Sequence, residues 1–162
     1  WFVFIAVVML HFFFTDVDGF YKLAKIMFTG MTIFLIISTV FPNGQDLRPM
    51  VFERDNIFVD MVRMVYRMDT CTNVFPSLHV FNSICACIAI HESKELKKHK
   101  TACQAAYLLA GLIILATMFL KQHSVLDVMA AFFMAYVLYQ FVYAKERKRA
   151  PRLAKRPVLQ NK

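Results

Sequence analysis

The sequence predicts an all-α protein, a polytopic bundle of about five transmembrane helices, with six in a longer parent chain. Three observations predict it. First, 59% of the 162 residues are hydrophobic and only 19% charged, with a mean hydropathy of +0.50, above the apolar share of an ordinary soluble domain. Second, the apolar residues fall into separate runs near the length of about 20 residues that a membrane helix needs. Third, four Gly, five Pro and no Ser-rich tract leave nothing that reads as a flexible linker, and no repeat period is present. One transmembrane domain is therefore expected over 1–144, followed by a basic tail over 145–162.

In chain order, Trp1 to Phe14 reads as the remainder of one membrane helix and Lys22 to Phe41 as a second, stopped by Pro42-Asn43-Gly44. Pro76 to His91 is a third, shorter and more polar; Thr101 to Lys121 is a fourth and Ser124 to Tyr143 a fifth. Between the second and third lies a polar stretch, Asn43 to Phe75. Within it, at about 50–69, Val51, Phe58, Met61, Val62, Val65 and Met68 recur at helical spacing opposite Asp55, Asp60, Arg63 and Arg67. That pattern predicts an amphipathic helix lying in the membrane interface, with lidding of a site as a second possible job.

Charge sets the expected orientation. Lys145 to Lys162 holds eight Lys or Arg and one Glu, a net +7 of the chain's +8. A basic run after a hydrophobic helix reads as a cytoplasmic flank attracted to anionic lipids rather than as a nucleic-acid arm, so no nucleic-acid partner is expected. The loop SKELKKHK from Ser93 to Lys100 is also basic, whereas Asn43 to Phe75 carries four Arg against five acids. The first two regions are placed inside and the third outside. Five crossings alternate consistently with this, and the chain would begin outside. Cys85, Cys87 and Cys103 sit in apolar runs and only Cys71 in a polar one; no disulfide is expected, and packing is the reading preferred over soft-metal binding.

The chemistry is carried by His79, at the head of the third membrane helix, and His123, just after the fourth. The helix, loop and helix between them run about 25 Å down and about 31 Å back at 1.5 Å per residue. Both histidines therefore return to one interface. Ionisable groups beside membrane helices are functional candidates because burying them is costly. His123 and Asp127 are four apart, share a helix face and can hydrogen-bond, which would leave the other ring nitrogen free as base or nucleophile. Pro76 and Ser77 open the third helix, whose N-terminal N–H groups attract an anion. Arg48 and Lys121 add positive charge on the same side. Two histidines, an orienting acid, cations and a helix terminus suit phosphoryl transfer. A zinc site from His79, His123 and Asp127 is conceivable, but neighbouring cations would repel a metal, so neither metal nor cofactor is expected. His11, His91 and His99 fall at the other side of the membrane.

Arg48-Pro49, then Pro76-Ser77-Leu78-His79, then His123-x-x-x-Asp127 resemble the three ordered motifs of the phosphatidic acid phosphatase type 2 superfamily. The likeness covers roughly Pro42 to Tyr143, and the strings NVFPSLHV and FLKQHSVLDV are similar to the branch related to inositol phosphorylceramide synthases and their bacterial relatives. By position, the resemblance implies that His123 forms a phosphohistidine with Asp127 holding its ring, that His79 protonates the leaving alkoxide, and that Arg48 and the Ser77 hydroxyl hold phosphate oxygens without a metal. Lys121 is assigned to the phosphate as well. The family carries a Lys seven positions before its Arg and an Arg six before its second His; here those positions are Phe41 and Thr117. The expected function is a lipid phosphate phosphatase in a bacterial plasma membrane, with the site on the outer face, the C-terminus cytoplasmic and a lipid phosphate as substrate. The alternatives are a lipid phosphotransferase with an alcohol acceptor and a non-catalytic protein with a decayed site. The oligomeric state is left open.

Overall fold

The structure, a computed structural model, describes residues 1–49 and 51–144, and the basic tail lies outside the described residues. Six α-helices follow in order: α1 Phe2–Thr15, α2 Val17–Val40, α3 Ile57–Met68, α4 Leu78–Glu92, α5 Lys100–Phe119 and α6 Val125–Tyr139. A 3-10 turn, Leu96–Lys98, precedes α5, and a π-helical turn, Gln140–Ala144, extends α6. The all-helical bundle expected from the sequence is the one observed.

Three segments are long and apolar enough to cross a membrane: Val17–Val40, Lys100–Phe119 and Val125–Tyr143. The apolar helices α1 and α4 are shorter, 14 and 15 residues, or about 21 and 22 Å at 1.5 Å per residue against a hydrocarbon core of about 30 Å. The short α4 is nonetheless the centre of the bundle, in contact with α1, α2, α5 and α6. Its length is explained by what precedes it. Val74, Pro76 and Ser77 are buried in irregular backbone, which membrane proteins tolerate where it is enclosed by protein.

Small residues let the helices approach. Cys85, Ala86 and Ala89 of α4, Cys103 and Ala110 of α5, and Ala131 and Ala135 of α6 are all buried, as close helix packing in lipid requires. Gly30 of α2 is the tightest point: a Cβ there would lie 2.1 Å from the Phe81 ring of α4, itself fully buried. The outward faces are apolar, with Phe2, Val7, Phe28, Leu35, Leu108, Leu112, Leu126 and Phe133 exposed. So much exposed apolar surface marks a lipid-facing exterior, and the chain is an integral membrane protein.

Three helix starts differ from the sequence expectation by two residues or more, each for a reason in the capping. α2 begins at Val17 rather than Lys22, because the Asp16 carboxylate accepts the Gly19 N–H at 2.9 Å. α4 begins at Leu78 rather than Pro76, with Ser77 as N-cap accepting the Val80 N–H at 3.3 Å. The amphipathic helix is shorter than 50–69 and starts after Asn56, whose side chain accepts the Val59 N–H at 2.9 Å. As expected it is two-sided: α3 buries no residue, and Phe58, Met61 and Met68 are exposed while Arg63 pairs with Asp55 and Asp60.

Candidate active site

The site forms where α4 and α6 begin and α5 ends. His79 lies in the first turn of α4 and His123 two residues before α6. The turn between α5 and α6 is fixed by the Thr117 carbonyl, which accepts the N–H of Gln122 at 2.9 Å and of His123 at 3.3 Å. Lys121, at the left-handed position that ends helices, has φ of 53°. The turn delivers His123 into the bundle, only 8% exposed, with its Nε2 3.3 Å from Nδ1 of His79. The two histidines meet as expected from the chain path.

Asp127 is brought in too, but not into the expected hydrogen bond. Its Oδ2 lies 3.8 Å from His123 Nδ1, beyond hydrogen-bond length, and instead accepts the Ser124 N–H at 2.7 Å in a capping box that starts α6. His123 Nδ1 is left buried without a hydrogen-bond partner. Burial pushes the His123 imidazole below its ordinary pKa, while the nearby carboxylates of Asp127 and Asp69 pull in the opposite direction. His123 is consequently the neutral imidazole at pH 7, the form that has a lone pair to offer an electrophile.

The phosphate-binding residues named from the sequence are distributed less simply. Arg48 is at the site with its side chain 9% exposed. Its Nη2 donates to Asp69 Oδ2 at 2.9 Å, its Nη1 to the carbonyls of Asp69 and Tyr66, and its guanidinium lies 4.6 Å from the Tyr66 ring centroid. Ser77 is fully buried and its hydroxyl is occupied in capping α4. Lys121 is exposed on the turn. Phe41 is exposed and Thr117 buried, its hydroxyl bonded to the Ile114 carbonyl at 2.8 Å. His11, His91 and His99 lie toward the opposite helix ends: in α4, His91 is 12 residues, or about 18 Å, beyond His79.

Asp69, Gln122 and Trp1 escaped sequence reading. Asp69, the C-cap of α3, receives Arg48, and the same Oδ2 receives Nε2 of Gln122 at 2.9 Å. Gln45 ties the segment between α2 and α4 to the His123 turn through its Nε2, which donates to the Gln122 and Lys121 carbonyls. Trp1 packs on His79 with ring centroids 4.6 Å apart. The segment between α2 and α4 is held together by a bridge between Gly44 and Thr72 and by the Asn43 side chain, which accepts the Phe75 N–H at 2.9 Å. Only an acid directly after an amphipathic helix could have hinted at Asp69.

Beside Asp127 lies a cavity of about 310 Å³ reached by Asn43, Gln45, Val74, Phe75 and Ser124. A larger one of about 550 Å³, against Ile84, Ile88, His91, Tyr107, Ile114 and Phe132, lies on the flanks of α4, α5 and α6; neither His79 nor His123 lines it, so size alone does not mark the chemistry. Among the described residues no group of three or more His, Cys, Asp or Glu is arranged to hold a metal ion.

The comparisons with known proteins agree with the geometry. The family model described as the PAP2 superfamily matches residues 45–151, from Gln45 through α6. No curated protein and no solved structure matches the chain.

Proposed function

The chain belongs to the PAP2 superfamily, whose members carry phosphatase-type activity in general, and on that premise we propose that it hydrolyses a phosphomonoester or diphosphate of a membrane lipid. The single observation that supports this most is the 3.3 Å approach of His79 Nδ1 to His123 Nε2 at the mouth of the bundle. A nucleophile and a proton donor face each other there across the place a phosphoryl group would enter.

In the proposed reaction the lone pair of neutral His123 Nε2 attacks phosphorus. The bond from phosphorus to the lipid oxygen breaks as His79, which takes up a proton when the phosphate anion settles beside it, gives that proton to the oxygen, releasing the lipid alcohol and leaving a phosphohistidine. Neutral His79 then takes a proton from water, whose oxygen attacks phosphorus and breaks the P–N bond, so that phosphate leaves and both histidines return to their starting forms. Asp127 stabilises the positive charge that develops on the His123 ring during attack. The His rings part to admit the substrate, since active-site contacts in an empty site need not match those of the complex. The lipid tail stays in the bilayer, and by the basic loop and tail the site is assigned to the outer face.

The test is a phosphate-release screen with purified protein in EDTA, using phosphatidate, phosphatidylglycerol phosphate, sphingoid phosphates and polyprenyl diphosphates. At least one lipid should release phosphate, and His123→Ala should abolish release while keeping the wild-type melting temperature. A folded His123→Ala protein with undiminished release would exclude the mechanism.

A further inference from the structure

We propose that Asp69 is a built-in competitor for the phosphate seat: its Oδ2 occupies, between Arg48 and Gln122, the place of a substrate phosphate oxygen, and the phosphate displaces it. The inference rests on the phosphatase reading and adds to it how the anion is admitted.

The donors of the seat are already engaged. Arg48 Nη2 and Gln122 Nε2 converge on one carboxylate oxygen, each at 2.9 Å. Gln122 immediately precedes the nucleophile His123, so that oxygen lies at the edge of the reacting centre. Arg48 Nε is buried with no partner, a donor of the same guanidinium not yet engaged. A guanidinium fork and an amide converging on one anionic oxygen is the pattern that binds phosphate.

Charge makes the displacement necessary. With Phe41 and Thr117 standing where the family has cations, Arg48 is the cation buried at this site, and Lys121 is exposed. Asp69 neutralises Arg48, and the buried Asp127 adds a further negative charge. A phosphate dianion entering beside both carboxylates would be repelled at close range. Moving the Asp69 carboxylate away removes that repulsion and frees Arg48 in one step.

The two partners differ in freedom. The Arg48 side chain is 9% exposed and that of Asp69 is 35% exposed. When the carboxylate swings toward water, Arg48 keeps its bonds to the backbone carbonyls of Tyr66 and Asp69 and its stack on Tyr66. The guanidinium therefore stays in place and presents the vacated Nη2 and the unused Nε to the ligand. An occupied seat lowers apparent anion affinity by the fraction of time it is free.

The experiment uses orthovanadate as the probe, with its binding to the purified full chain measured by calorimetry. Asp69→Asn should tighten vanadate binding by about tenfold, the scale of losing one close like-charge contact in a partly buried site, and Asp69→Ser should do the same if the Asn variant melts early. Asp69→Glu, which keeps the charge, should remain near wild type. In an Arg48→Ala background the Asp69→Asn gain should shrink, because there is no guanidinium to compete for and only the like-charge repulsion is relieved. Equal or weaker binding by both neutral variants overturns the proposal, as does a gain that persists in full without Arg48. Phosphate release is scored separately. A vanadate gain with no lipid hydrolysed leaves the seat standing and removes the phosphatase reading; hydrolysis by the wild type with no gain removes only the seat.

Discussion

At the residue scale, the proposed reaction depends on His123 being neutral where a surface histidine would be partly charged. Its burial lowers the pKa and the Asp127 and Asp69 carboxylates restore part of the loss. The direction fixes two pH dependences. Protonation removes the nucleophilic lone pair, so the acid limb of kcat/KM is expected below the ordinary histidine value of about 6.5. Folding follows the same sign: the unfolded chain takes up a proton on this residue near pH 6.5 while the folded chain resists, so its contribution to stability is complete above that pH and lost as pH falls below it. Asp127→Asn removes a carboxylate that holds the pKa up, so its acid limb should move to still lower pH. A pH–rate profile of the two proteins decides this, and a limb that moves upward in the variant would show that Asp127 does not act through charge. The positions of His79, His123, Asp127 and Arg48 were legible because their order and spacing form motifs. Asp69 was not, because its partners Arg48 and Gln122 are 21 and 53 residues away, and contacts at such separations leave no local pattern.

At the element scale, the apolar runs located the membrane helices and the amphipathic spacing located α3, while the caps decided where α2, α3 and α4 begin. Asp18 and Lys22 interrupt the apolar run in the first turns of α2, yet the helix includes them because the backbone bonds and the Asp16 cap are indifferent to hydropathy. Ser77 shows the reverse: a serine read for its chemistry serves as an N-cap, as Ser124 does for α6. The pairing of elements was less legible, since hydropathy says that a helix is in the membrane and not which neighbour it meets. Gly30 illustrates this. Within the sequence it is a helix weakness, and only the fold reveals that it receives the Phe81 ring. Gly30→Ala should therefore destabilise the bundle despite improving helix propensity, by roughly 1–3 kcal/mol as overpacking of a core does. Phe81→Leu in the same chain should recover part of the loss. Thermal melts in detergent measure both; a Gly30→Ala protein as stable as wild type would mean that α2 and α4 separate freely at this point.

At the scale of the whole molecule, the bundle is covered in apolar side chains except at its ends, and α3 lies outside the packed helices with its own apolar face uncovered. The free face is suited to the upper layer of a bilayer, with Phe58, Met61 and Met68 toward the acyl chains and the Arg63 ion pairs toward water. Its C-terminal end carries Tyr66 and Asp69, the residues that hold Arg48. Seating α3 in lipid therefore bears directly on the phosphate half of the site, whereas the histidine half is fixed by α4, α5 and α6. Phe58→Asp with Met61→Asp removes the apolar face without touching any residue of the site. The double variant should keep its melting temperature in detergent and its activity on a short-chain lipid phosphate below its micelle concentration. On vesicles its KM should rise several-fold, since each buried side chain contributes on the order of 1.5–3 kcal/mol to insertion, with kcat changed less. Equal KM on vesicles for wild type and variant would show that α3 does not seat in the bilayer, and a matching loss on the soluble substrate would instead make it a structural part of the Arg48 anchor.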